Sequence, residues 1–147
     1  MVDKLGGTDA DVKARISKAR NAFNSLGNIW RDRTISLRTK CRLFNSNVKS
    51  VLLYGCETWK RTKTLLNKLQ TFINSCLRKL LRIRWPDKIR NDELWARTGQ
   101  KMISEELGRR KWLWLGHTLR KPPESIARQS LQLNPQGQRK RGRQRTT

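Results

Sequence analysis

Acidic residues are scarce in this chain: eleven Asp and Glu stand against 34 Lys and Arg over 147 residues, a formal net charge of +23. No folding requirement explains such an imbalance, and self-repulsion makes it costly, so the sequence implies a polyanionic partner. The gaps say more than the total. No acid occurs between Glu57 and Asp87, or after Glu124, which marks two uncompensated basic stretches as contact surfaces. Long apolar runs are also lacking, and nothing approaches the roughly 18 consecutive apolar residues of a membrane span. Residues 1–11 carry two Gly and three Asp where a signal peptide would have its apolar core. An intracellular protein is the expectation. Cysteine is limited to Cys41, Cys56 and Cys76, an odd number, widely spaced and on apolar helical faces, as expected of reduced thiols that behave as small hydrophobes. His117 is the only histidine, and no nearby Cys completes a zinc geometry with it. It is expected to be a packed, hydrogen-bonded residue, with a phosphate contact as the alternative. No metal or cofactor is implied.

What remains is 35% apolar and includes six Trp, enough for one folded body with a real core. Val12, Ile16, Ala19, Phe23, Leu26 and Trp30 recur at spacings of three and four, the stripe of a helix that Thr8 and Asp9 are placed to cap. Ser36 caps a second helix with Leu37, Cys41, Phe44, Val48 and Val51 on one face, ending at Gly55. The two should pair as a hairpin. Thr62 or Thr64 opens the most strongly patterned helix, with Leu65, Leu69, Phe72, Ile73, Cys76, Leu77 and Leu80 on one side. Lys68, Thr71, Ser75, Arg78, Lys79 and Arg82 fall on the other, a cationic face without an acid of its own, suited to phosphate oxygens. Asn91 is expected to cap a short helix that Gly99 ends. Ser104 begins another that Pro122-Pro123 ends, and a last one covers Ser125 to Leu131. Within the fifth, Trp112-Leu113-Trp114-Leu115 is apolar nearly all round, which implies burial. Most of the Trp residues should build the core, with Trp114 the surface candidate. From Asn134 onward the composition cannot bury enough surface to order itself. The expected fold is all-α, a small bundle of about five to six helices with a disordered basic C-terminal tail.

Competing motifs are weak. Asp9-Ala10-Asp11 reads as helix-start acids rather than metal ligands. Pro86-Asp87 with Glu93 faintly resembles a restriction-like nuclease signature, but Trp95 stands where its lysine would be. Arg141-Gly142-Arg143 resembles an AT-hook core whose following Pro is Gln144 here, so a sequence-indifferent polybasic tail of Arg139, Lys140, Arg141, Arg143 and Arg145 is the simpler reading. The same string suits nuclear import.

Five segments, in order, carry a wider likeness: residues 6–16 (GGTDADVKARI), 51–59 (VLLYGCETW), 77–85 (LRKLLRIRW), 109–120 (RRKWLWLGHTLR) and 139–143 (RKRGR). Together they resemble the C-terminal part of reverse transcriptases from RTE-like non-LTR retrotransposons. The resemblance implies thumb-like helices over residues 1–57, an accessory helical module over 58–133 and a basic tail over 134–147. In that family the polymerase palm, with its metal-binding adjacent Asp pair, and the endonuclease lie upstream; no adjacent Asp pair occurs here. Met1 is therefore expected to mark the start of a truncated copy of such an element or of an artificial gene model. The implied role is non-catalytic binding of RNA or DNA, as template or primer-template duplex, with Arg109, Arg110 and Lys111 joining the third-helix cations and the tail. The rival expectation is a decayed helical fragment that lacks a core without the palm and has no independent function.

Overall fold

The computed structural model describes residues 7–131. Among them every regular element is helical. The chain divides into two compact units, the first running to Lys111 and the second beginning at Trp112.

In the first unit, α1 (Thr8–Ser25) and the short α2 (Gly27–Arg31) are separated by a break at Leu26, where the backbone leaves helical angles ahead of Gly27-Asn28. Helix α1 starts from Gly7 without a side-chain cap. The two residues expected to cap it are inside the helix, and its acids are used elsewhere: Asp9 faces Lys68 at 3.4 Å, while Asp11 accepts a 2.7 Å bond from the Trp59 indole and lies 3.5 Å from Arg15. Ser36 does cap α3 (Leu37–Leu43), accepting from the Thr39 amide, and Thr62 caps α5 (Lys63–Leu80) through Leu65. Each such cap is worth about 1 kcal/mol.

The second apolar stripe is continuous but not purely α-helical. Helix α3 runs into a π-helical stretch, Phe44–Lys49, before the final turn α4 (Ser50–Leu52). Wider winding shifts the register, so that Val48 and its neighbour Lys49 are both buried. Gly55, at φ 75°, turns the chain in the left-handed region where a side chain would be strained. The α3–α4 run packs along α1 as the expected hairpin, and α5 lies against α1 and α2 and supports α6 (Asn91–Thr98). The boundary expected near residue 57 thus falls inside the first unit.

All seven predicted apolar residues of α5 are buried, beside Val12, Ala19, Phe23, Trp30, Phe44 and Leu52. The Phe23 and Trp30 rings stack at 5.2 Å, and Phe44 meets Phe23 edge-on at 6.4 Å. Buried polar groups are paired, as low dielectric demands, except the Arg110 Nε, which has no hydrogen-bond partner among the described residues. Asn74 Oδ1 accepts from Gln70 and from the Trp95 indole, both at 2.9 Å, and Gln70 Oε1 accepts the Ile103 amide at the start of α7 (Ile103–Leu119). Lys40 donates to the carbonyls of Trp30 and Asp32 at the end of α2. Asn91 lies inside α6 rather than capping it; the cap position is Arg90, and Asn91 Oδ1 instead accepts from Arg78 at 2.6 Å.

The second unit holds the end of α7 and α8 (Ile126–Ser130), which Ser125 precedes. Burial of the Trp-rich stretch does not occur. Trp112 is 74% exposed, Leu113 61% and Leu119 56%. An apolar stretch is buried only if another element covers it, and α8, five residues long with none of them buried, offers too little surface to do so. Only two of the six Trp, Trp30 and Trp59, are fully inside, and Trp85 is 88% exposed. His117 is exposed rather than packed.

Candidate nucleic-acid interface

Where α5 leans on α1, its apolar side is sealed and the next stripe round is left open. Thr64, Asn67, Thr71, Ser75 and Lys79 recur at steps of three and four, with Lys68 next to Asn67, so they stand along one side of a hollow of about 880 Å³. Arg20 and Asn24 of α1 form the other side, and Ile16, Phe23, Phe72 and Cys76 are its apolar floor. A second hollow of about 860 Å³ shares Phe23, Asn24 and Lys79 with the first and continues past Gly27 and Arg31 to Arg82 and Arg84. The two form one groove with cations on both walls, hydroxyls and amides between them, and no Asp or Glu in its lining.

Five of those cations, Arg20, Arg31, Lys79, Arg82 and Arg84, are exposed and belong to no ion pair among the described residues. Lys68 differs. Its ammonium is partly neutralised by Asp9, an acid that the α5 sequence alone does not reveal. Asp32, an exposed carboxylate near Arg82, sits below its ordinary value of 3.8, first because Thr34 donates side-chain and backbone bonds to it and, more weakly, because of the Lys40 and Arg82 charges.

Arg82 occupies an unusual position. Helix α5 ends with the Ile83 amide bonded to the Arg78 carbonyl at 3.0 Å and the Arg82 amide to that of Lys79 at 3.1 Å, the paired bonds of a Schellman cap. Its left-handed residue is ordinarily glycine, but here it is arginine at φ 58°, the one positive-φ residue other than glycine among the described residues. That backbone disfavours a side chain by about 1–2 kcal/mol. The strain places a guanidinium at the mouth of the groove.

Other sequence candidates are dispersed. Thr71, Ser75, Lys79 and Arg82 stand with Lys68 along the groove, whereas Arg78 turns to Asn91 and lies outside its lining. Arg109 and Arg110 line a separate hollow of about 650 Å³ with Lys49, Gln100, Lys101, Glu105 and Glu106. There Glu106 is bonded to Lys49 and, at 3.2 Å, to Arg110, and Lys49 also donates to Gln100 at 2.8 Å. Burial by itself would raise the Glu106 carboxyl, but the Lys49 hydrogen bond together with the Lys49 and Arg110 charges brings it below 4.5. This is an internally compensated cluster, which leaves Arg110 little charge to offer a ligand. Lys111 is half-buried. Arg139, Lys140, Arg141, Arg143 and Arg145 lie outside the described residues.

The thiols are no part of any reactive arrangement. Burial pushes Cys41 up, Cys56 to about 11 and Cys76 to about 12, the last despite the nearby Lys79 and Arg20. Arg20 and Asn24 of α1 were invisible to a reading centred on α5, and the available signal was the spacing of Ile16, Arg20, Phe23 and Asn24 beside the α1 stripe; Asn67 lies on α5 itself but is uncharged and was not singled out.

Comparison with known proteins adds one partial likeness. Residues 22–54 match a family model described as a domain of unknown function, DUF6451. The match runs from the last turns of α1 to Tyr54 and includes Phe23, Asn24 and Arg31 of the groove. No curated protein and no solved structure matches the chain. No helix among the described residues is long and apolar enough to cross a membrane.

Proposed function

We propose that this chain is a non-catalytic nucleic-acid-binding fragment of an RTE-like non-LTR reverse transcriptase, and that it holds RNA or DNA by its phosphates in the groove between α1–α2 and α5. The observation that carries the reading is the pair of groove walls: exposed arginines and a lysine from α1, α2 and the C-terminal end of α5 line two adjoining hollows that have no Asp or Glu in their lining. Ordinary solvated faces mix signs, and a polar groove with one sign of charge focuses its field on a polyanion. Thr71, Ser75, Asn24 and Asn67 supply the neutral donors that position phosphate oxygens. The strained Arg82 supports the same reading, since glycine there would relieve the backbone at the loss of one groove cation.

Phosphate contacts carry no sequence information, so the expected binding is salt-sensitive and weakly selective, as suits a part that holds template or primer-template duplex while another part does the chemistry. The polybasic tail adds to the same interaction and suits import into the nucleus. The test is the triple substitution Arg20→Glu, Lys79→Glu, Arg82→Glu. Binding of a labelled duplex at moderate salt should be lost, with circular dichroism and melting temperature nearly unchanged, because exposed substitutions usually shift stability by about 0.5 kcal/mol or less each. A triple variant that binds like the parent would remove the groove from the function.

A further inference from the structure

The second unit carries a feature that phosphate gripping in the groove does not use. Trp112, 74% exposed, and Leu113, 61% exposed, are large apolar groups left in water on a regular helix. At about 100° per residue, Trp112, Gly116 and Arg120 follow one another up the same side of α7 and its C-terminal end, with Leu113 and His117 alongside. Gly116 has no side chain to fill the step above the indole. Arg120 leans back over it: its Nη2 lies 3.5 Å from where a Cβ on Gly116 would stand. An indole, a bare backbone step and a guanidinium are therefore arranged within two turns, with His117 exposed beside them. No Asp or Glu occurs between Glu106 and Glu124.

We propose that this face of unit two is a stacking site for an unpaired nucleotide, with the Trp112 ring taking the base and the Arg120 guanidinium the adjoining phosphate. Charge complementarity selects the occupant. A protein partner docking on an exposed Trp and Leu would meet uncompensated cations around them, whereas a nucleic-acid strand presents an apolar π-face and an anion at neighbouring positions. Bases in a duplex are already stacked on each other, so only a single strand offers a free face to the ring. The groove of the first unit grips phosphates of either form, and this site adds discrimination for the unpaired form. The inference deepens the nucleic-acid reading and rests on it, but involves no residue of the groove.

Anisotropy of a labelled, unstructured 12-nucleotide oligouridine and of a blunt duplex of equal length separates the two sites in the full chain. Trp112→Ala should weaken oligouridine binding by about tenfold, the scale of losing one base–aromatic stack, and leave duplex binding within twofold. Trp112→Phe should restore most of the loss, and Arg120→Ala should make the salt slope for oligouridine shallower by about 0.7. Circular dichroism of Trp112→Ala should match the parent, since the ring is exposed. Unchanged oligouridine binding by Trp112→Ala, or an equal loss on duplex and single strand, would overturn the stacking site. So would dependence on Trp112 of vesicle binding (a third phosphatidylserine) or of self-association in sedimentation, with oligouridine binding unaffected, since the face would then serve a membrane or a second copy. The Arg20/Lys79/Arg82 variant keeps this outcome separate from the groove: it should lose the duplex while Trp112→Ala retains it.

Discussion

Replacing Arg82 by Gly should stabilise the protein and weaken its binding together, a combination that a purely structural arginine would not produce. The residue closes the Schellman cap of α5 at φ 58°, a conformation that disfavours a side chain by about 1–2 kcal/mol. Glycine removes that penalty and adds about 0.4–1 kcal/mol of unfolded-state entropy. The net gain is about 0.5–1 kcal/mol, or a rise of roughly 1–4 °C in Tm for a chain of this size. The cap bonds from Arg82 and Ile83 to the carbonyls of Lys79 and Arg78 are backbone bonds and survive the change. On the functional side one phosphate contact disappears, so the log–log salt slope for duplex should become shallower by about 0.9. Differential scanning calorimetry and fluorescence anisotropy on one preparation supply both numbers, with Arg82→Lys as the control that keeps charge and strain. A glycine variant with a lower Tm would refute the strain argument, and one that binds with an unaltered salt slope would refute the reason given for the strain.

The buried Lys49–Glu106 pair and the buried thiols make three further outcomes measurable. Lys49→Met should cost about 3 kcal/mol in urea unfolding, because Glu106 loses its closest cation in a largely desolvated place; a loss below 1 kcal/mol would mean that water reaches the carboxylate. Glu106 binds its proton more weakly in the folded chain than its ordinary value of 4.5, so its contribution is intact above that pH and is lost as pH falls through the lower folded value. Glu106→Gln should accordingly flatten the acid limb of a stability–pH curve. With Cys56 near 11 and Cys76 near 12, neither thiol should react with Ellman's reagent at pH 8 in the native chain, while all three should react in guanidinium chloride; rapid native labelling of either would contradict their burial.

Much of this fold was legible because periodicity and burial share one cause. On α5 the seven apolar positions read from the sequence are all buried, with Asn74 as the one polar residue among them, and Ser36, Thr62, Gly55 and Gly99 mark the ends they were expected to mark. The failures arose where a residue's partner is distant in sequence. Asp9 and Asn91 were expected to cap helices; both stand in the first turn but cap nothing, and they hold Lys68 and Arg78 from another helix, which no local pattern discloses. Trp112 and Leu113 were placed in the core because apolar stretches normally are, yet burial depends on a covering element, and the short α8 does not provide one. The π-helical stretch Phe44–Lys49 left no trace either, since its apolar spacing fits an α-helix equally well. For the groove, the α5 wall could be read from the sequence in the cation spacing, although Arg78 of that face turns to Asn91 and lies outside the lining. The α1–α2 wall of Arg20, Asn24 and Arg31 could be assigned only once the two helices were seen together.

The most direct test of the groove is the salt dependence of duplex binding by the full chain against the Arg20→Ala, Lys79→Ala, Arg82→Ala variant. Loss of three phosphate contacts should reduce the magnitude of the log–log slope by about 2.7, with helix content unchanged. An identical slope for parent and variant would contradict the account, because the groove cations would then release no counterions when nucleic acid binds.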